Sequence, residues 1–229
     1  MKKNINILNV KNLENINVIK KIKLDNYYLN NNNDFRDRIV KDIKESDDVL
    51  DIGKSSREFF NKIKSNKLVT LDINTFEDYP DIVFDLCNDL DDSLKEKFDK
   101  IICIAILEHV YDPFKAVENL KKILKPGGTI YGYVPYLYSY HAPKDLKFQD
   151  YFRFSKDALA YLFKDFSDIT LFPVRGRISS SLNILFGGIW KKYFEKLRLN
   201  IFLDKFTSTN INQIQCSGYN FIVEKDNTK

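Results

Sequence analysis

Glycine is scarce in this chain, eight in 229 residues, and it is missing where a nucleotide-binding turn would use it most. In VLDIGKSSREFF, residues 49–60, an apolar run closes on an acid and a glycine, as a strand entering such a turn does. Lys54, Ser55, Ser56 and Arg57 then stand where further glycines are expected. A dinucleotide pocket needs those glycines so that backbone can approach a pyrophosphate and helix can approach strand. Their loss argues against NAD and FAD. Cysteine is equally thin. Cys87, Cys103 and Cys216 are odd in number and lack ligand spacing, which argues against a disulfide framework and a structural zinc site and fits a reducing cytoplasm. No acidic triad is evident among the strand-end residues, so no metal is expected. Long apolar runs are also wanting. The opening MKKNINILNVKNLENINVIK has charge but no uninterrupted apolar region, so neither a signal peptide nor a spanning helix is expected. Nor does one sign of charge dominate: 36 Lys and Arg against 32 Asp and Glu leave +4, dispersed, with no patch that points to nucleic acid. No internal repeat is visible.

What is present is a globular composition, 44% hydrophobic, long enough for one large domain with a core of ordinary size. Residues 1–46 read as a helical N-terminal lid, with NYYLNNNND (26–34) a polar break between two helical pieces. From Asp48 the pattern alternates. DDVLDIG, KLVTLDIN, PDIVFDLC, KFDKIICIAI and GGTIYGYVP read as strands, and SREFFNKIKS and PFKAVENLKKIL as helices. LKPGG (124–128) supplies a helix stop and a turn. A helix near 155–164, a strand near 168–173 and a last strand near 214–224 complete the set. The expected class is α/β, a seven-stranded, mostly parallel sheet with helices on both faces, forming one domain over 47–229. Residues 178–210 form a helical insertion before the last strand, interrupted by Lys191, Lys192, Glu195, Lys196 and Arg198, so it does not span a bilayer. It is expected to pack over the cleft or against a second copy in a homodimer; a membrane-surface helix is the alternative.

In an open parallel sheet, ligands bind beyond the carboxyl ends of the strands, where strand order reverses. The acids fall there. Asp51 and Gly53 follow the first strand, Asp72 the second, Asp85 the third and residues 105–109 the fourth. A carboxylate after the second strand can accept from both hydroxyls of a ribose. One after the third can accept from an adenine amino group while the Leu86 backbone reads the ring edge.

With VLDIG, LDIN, FDLC and, above all, FDKIICIAILEHVYDPFKAVENLKKILKPGGTIYGYVP, the chain resembles the class I S-adenosylmethionine (SAM)-dependent methyltransferases over roughly residues 48–163. The resemblance implies a Rossmann-like fold, SAM as cofactor and S-adenosyl-L-homocysteine as product. It implies Asp51 and Gly53 beside the methionine moiety, Asp72 and Ile73 at the ribose, Asp85 and Leu86 at adenine, and the Ile104–Ala105 backbone at the amino group. It places LEH (107–109), with His109, near the cofactor, where Glu108 and His109 can equally hold the loop. SAM has no pyrophosphate, so the lost glycines weigh little against it. Lys54 or Arg57 can pair with the cofactor carboxylate and Ser55 can donate to it, or these side chains cap the helix or face water.

After Pro135 the chain leaves the sheet at its ligand-binding end, which puts Tyr136, Tyr138, Tyr140, His141, Tyr151 and Arg153 where an acceptor would sit. Aromatic faces with hydroxyl rims suit a sugar or a base, and an arginine fork suits phosphate or carboxylate. His141 is the candidate general base for a hydroxyl acceptor, or else a brace for its turn. Arg153 can instead pair with Asp150 or Asp157, and Arg175 and Arg177 offer a second, weaker anion site. PYLYSYHAP followed by DYFRFS looks like methyltransferases of bacterial surface-glycan and nucleotide-sugar pathways. The resemblance implies O-methylation of a nucleotide sugar, phosphorylated metabolite or capsular-polysaccharide precursor. The alternatives are N-methylation of an amino sugar or amine, and an inactive SAM-binding partner subunit.

Overall fold

The computed structural model describes residues 22–25, 32–53, 61–75, 77–144, 148–196 and 199–227. In chain order these form β1 (Lys23–Leu24), α1 (Asn32–Asp42), β2 (Asp48–Ile52), β3 (Lys67–Asp72), β4 (Ile82–Val83), a 3-10 turn (Asp92–Leu94) and β5 (Phe98–Ile104). Then follow α2 (Pro113–Ile123), β6 (Leu124–Pro135), α3 (Lys156–Leu162), β7 (Asp168–Val174), α4 (Arg177–Lys196), α5 (Leu199–Asp204), α6 (Thr209–Ile214) and β8 (Gly218–Glu224). The strands make one sheet in the order β1-β7-β8-β6-β5-β2-β3-β4, parallel except for β8. Strand order reverses between β2 and β5, so a crevice opens beyond their carboxyl ends.

Successive residues of a strand point to opposite faces, and here each face has its own core. Leu50, Ile101 and Ile130 pack with Leu107, Leu120 and Phe221 on one side. Their neighbours Val49, Ile102 and Tyr131 pack on the other with Phe35, Ile39 and Phe172. Residues 101–104 of β5 are apolar at every position because both faces are covered.

Four expectations change. The sheet has eight strands, because Lys23 and Leu24 pair in parallel with Thr170 and Leu171 of β7, and an ion pair from Lys23 to Asp168 (2.6 Å) closes that edge. The described helix of the expected lid is a layer of the core. Phe35, Ile39 and Ile43, at four-residue spacing, are almost wholly buried. The run PDIVFDLC yields only the two residues of β4, since Pro80 has no N–H to pair and 85–88 closes a turn by Asn88 N donating to Asp85 O at 3.0 Å. LKPGG does end α2, with Leu124 as its C-cap, but it is not a free turn. It is an irregularity inside β6, where the pairing Phe98–Leu124 jumps to Lys100–Thr129.

The insertion before the last strand is helical: α4, α5 and α6 lie between β7 and β8. Asp204 of α5 accepts from the backbone of Gly176 (2.8 Å) and Ser179 (3.0 Å), which ties the start of α4 to its end. Ser208 caps α6, which takes residues 209–214, so β8 starts at Gly218 rather than near 214. Among the described residues, no helix is long and apolar enough to cross a membrane.

Candidate active site

A cavity of about 550 Å³ opens at the carboxyl ends of β2, β3, β4 and β5. Its first wall is the turn after β2. Gly53 has φ +70° and donates its N–H to Leu71 O at 2.9 Å. A Cβ there would stand 2.3 Å from Cδ1 of Ile106, a side-chain tip that can shift, so it is the left-handed conformation that favours glycine. Ala105 also adopts a left-handed backbone, φ +56°, held by its N–H to Tyr133 O at 2.9 Å. Such strain in a non-glycine residue tends to gather at functional sites. It turns the chain along the cavity, so that Ile104, Ala105 and Ile106 all line it.

Asp72 ends β3 and lines the cavity with Ile73 and Asn74. Its Oδ1 accepts from Asn74 N at 2.9 Å and its Oδ2 from the Tyr79 hydroxyl at 2.9 Å. Tyr79 is buried, and that burial together with Asp72 raises its pKa, which keeps it a donor. A carboxylate has about four acceptor positions, so Asp72 is fixed in orientation and retains capacity on both oxygens. Asp85 is anchored by Cys87 N (2.8 Å), while Leu86 O and Asn88 O both accept from the buried amide of Asn119, at 2.8 and 2.7 Å. Asp85 and Leu86 both line the cavity.

The other end is built by the turn after β5 and the loop after β6. Tyr151 N and Phe152 N donate to Glu108 O at 2.8 and 3.2 Å, which staples the two together. His109 and His141 both face the cavity, with Phe148 and Tyr111 beside them, and the two imidazoles meet edge to face at 4.9 Å. His109 Nδ1 lies 2.5 Å from Gln149 O, and burial lowers its pKa, so the ring is neutral. His141 Nδ1 lies 3.2 Å from Asp150 Oδ2. Asp150, its side chain wholly covered, takes both Nη atoms of Arg153 and the backbone N–H of His141 (2.9 Å); the guanidinium drops its pKa to about 2. Glu108 is different. It is buried, neither carboxylate oxygen has a hydrogen-bond partner among the described residues, and burial pushes its pKa up to about 8. Among the described residues, Glu108, His109 and His141 each bring a ligand atom within 4.8 Å of the others. This set holds one acid and two histidines, so it is not the acidic triad that the sequence lacks. His141 comes from a distant loop, and only the fold brings it to the LEH turn.

The other anticipated residues fall as follows. Gly53, Asp72, Ile73, Asp85, Leu86, Ile104, Ala105, His109 and His141 share the cavity. Asp51 is fully buried under the turn and does not line it. Lys54, Ser55 and Arg57 lie outside the described residues. None of Tyr136, Tyr138, Tyr140, Tyr151 and Arg153 lines the cavity. Tyr136 packs on Tyr219, Tyr138 stands edge-on to His141 behind it, and Tyr140 and Tyr151 face outward, 71% and 51% exposed. Arg153 is occupied by Asp150 and by the carbonyls of Tyr138, Ser139 and Phe152, so it offers no fork to a ligand. Sequence reasoning missed Arg36, Asn74, Tyr111 and Phe148 as cavity residues. Arg36 had a signal: Phe35, Ile39 and Ile43 mark the buried stripe of α1, and Arg36 is one position round from it.

A family model described as a methyltransferase domain matches residues 24–166. A ubiquinone biosynthesis O-methyltransferase of Actinobacillus pleuropneumoniae is 47% identical over 36 residues, 16% of this chain and 15% of that protein. The matched stretch thus spans a small part of that relative. Among solved structures, the phosphoethanolamine N-methyltransferase 2 of Haemonchus contortus, in complex with S-adenosyl-L-methionine, is similar at TM-score 0.51 and 13% identity, over 85% of this chain and 52% of that one. The [4+2]-cyclase SpnF is similar at TM-score 0.52 and 11% identity, over 87% and 86%. At such identities the likeness is one of fold, and a fold hosts more than one chemistry.

Proposed function

The chain belongs to the methyltransferase-domain family and has the class I fold of SAM-dependent methyltransferases, and we propose that its 550 Å³ cavity binds SAM and presents the methyl group to a small polar acceptor. The observation that carries this reading is Asp72, a carboxylate fixed through Asn74 and Tyr79 with lone pairs left for the two hydroxyls of a ribose. Asp85 and the Leu86 turn stand where adenine would follow, and the strand-end backbone of Ile104 and Ala105 meets the amino-acid end. Arg36 brings a guanidinium into the same cavity, which suits the cofactor carboxylate.

Methyl transfer from a sulfonium is a displacement. The S–CH3 bond breaks, its electron pair returns to sulfur, and S-adenosyl-L-homocysteine leaves neutral at sulfur. Alignment of the two reactants supplies much of the acceleration. The acceptor is a hydroxyl of a sugar, such as a nucleotide sugar or surface-glycan precursor, with the exposed rings of Tyr111 and Phe148 as its flat walls. A hydroxyl must also lose its proton, and His141, His109 and Glu108 are the groups gathered at that end.

The test is transfer of an isotopically labelled methyl from SAM to a panel of nucleotide sugars and sugar phosphates, followed by mass spectrometry. Label appearing on a sugar oxygen supports the reading; label only on amines would redirect it to N-methylation. A protein that binds SAM yet labels no member of the panel would contradict the acceptor assignment.

A further inference from the structure

Glu108 has a side chain 1% exposed and, among the described residues, no hydrogen-bond partner on either oxygen. A buried carboxylate left alone is costly, so a proton or a cation must answer it. Its Oε1 faces Nε2 of His109 at 3.8 Å and Nε2 of His141 at 3.9 Å. In each ring the other nitrogen is engaged. His109 Nδ1 donates to Gln149 O at 2.5 Å. His141 Nδ1 faces two acceptors, Asp150 Oδ2 at 3.2 Å and Ser139 O at 3.3 Å, and the Arg153 Nη2 that lies 3.5 Å away is committed to those same two acceptors. With the Nδ1 positions protonated, each Nε2 keeps its lone pair within 4 Å of the same carboxylate oxygen.

We propose that Glu108, His109 and His141 bind a divalent first-row transition-metal cation at the acceptor end of the cavity. Two imidazoles and one carboxylate favour such an ion over magnesium or calcium, which take oxygen ligands. Ligand atoms about 2.1 Å from a shared ion stand roughly 3.0–3.5 Å apart, so three atoms already within 4.8 Å close around one with small side-chain movements. The surroundings are those of a ligating histidine pair. One ring N–H is held by a backbone carbonyl and the other by a carboxylate that Arg153 and the His141 N–H fix in turn. Both histidines line the cavity, so the remaining coordination positions open towards the acceptor.

The role of the ion rests on the reading of this cavity as a SAM site. The acceptor hydroxyl binds the cation and releases its proton to solvent. The resulting alkoxide forms the O–CH3 bond as the S–CH3 bond breaks and its electron pair returns to sulfur. His141 is then a ligand and not the base.

The experiment is titration of chelator-stripped, full-length protein with Co2+, read by visible absorbance and by the shift in thermal unfolding, with a parallel calorimetric titration with SAM. One Co2+ per chain is expected, with a d–d band and a raised Tm, and Glu108→Gln and His141→Gln each weaken binding by about 100-fold or more. His141→Gln removes a partly exposed ring and serves if Glu108→Gln fails to fold. Absence of stoichiometric Co2+ binding, or binding unchanged in both variants, overturns the proposal. SAM bound without Co2+ removes the metal site and leaves the cofactor reading intact. Co2+ bound without SAM upholds the site and removes its part in methyl transfer.

Discussion

The two ends of the cavity use carboxylates in opposite ways. Asp72 has a donor on each oxygen and Asp85 a backbone donor on one, so both are held as acceptors for neutral donors. Glu108 lies deeper, has no donor, and has its pKa pushed up to about 8 by burial. The first arrangement suits hydroxyl and amino donors at little desolvation cost. The second is costly for a lone charge, so a proton or a cation must answer it.

The largest effect should come from erasing that contrast. Glu108→Met in the stripped protein removes a buried ionisable group and should raise stability by about 1–3 kcal/mol, read by urea unfolding. In the metal-loaded protein the same change should cut methyl transfer by roughly 1000-fold, the worth of several kcal/mol of metal assistance. Lost stability with retained transfer would show that Glu108 is only a structural group. Next, Asp72→Ala removes two charge-assisted hydrogen bonds to a ribose and should weaken SAM by about 100-fold in calorimetry. Unchanged affinity would place the ribose elsewhere.

Asp150 sharpens the picture through pH. Its folded pKa, about 2, lies below the ordinary carboxylate value, so its contribution is complete above that ordinary value and is lost as pH falls through about 2. The difference is worth about 2 kcal/mol. Stability measured from pH 5 down to pH 2 should therefore fall by that amount more in the wild type than in Asp150→Asn. Equal slopes would remove Asp150 from the acid response. The smallest effect is Tyr79→Phe, which frees one oxygen of Asp72 and should weaken SAM about 5-fold.

Much of this was legible in the sequence, and for a physical reason. Strand ends in a parallel sheet are marked by acids and a glycine after apolar runs, and Asp72, Asp85 and Gly53 share the cavity because local pattern and topology agree there. The tyrosines show where pattern runs out. After Pro135 the chain does leave the sheet at the right end, but Tyr136 N and Leu137 N donate to Ser217 O and Cys216 O just before β8. That pairing carries Tyr136, Tyr138 and Tyr140 past the cavity and delivers His141 instead. For Arg153 the structure takes the alternative reading, since Asp150, three residues away, takes both ends of its fork. The Glu108 cluster was invisible because no spacing links residue 109 to residue 141. Nor could two residues, Lys23 and Leu24, announce a strand whose partner lies far along the chain.

The central claim is that this cavity is a SAM site organised by Asp72, and calorimetric titration of ligand-free protein tests it most directly. One SAM per chain with a micromolar Kd, weakened in Asp72→Ala and accompanied by no heat from NAD, is the predicted result. No heat of SAM binding from a folded, ligand-free sample would contradict it.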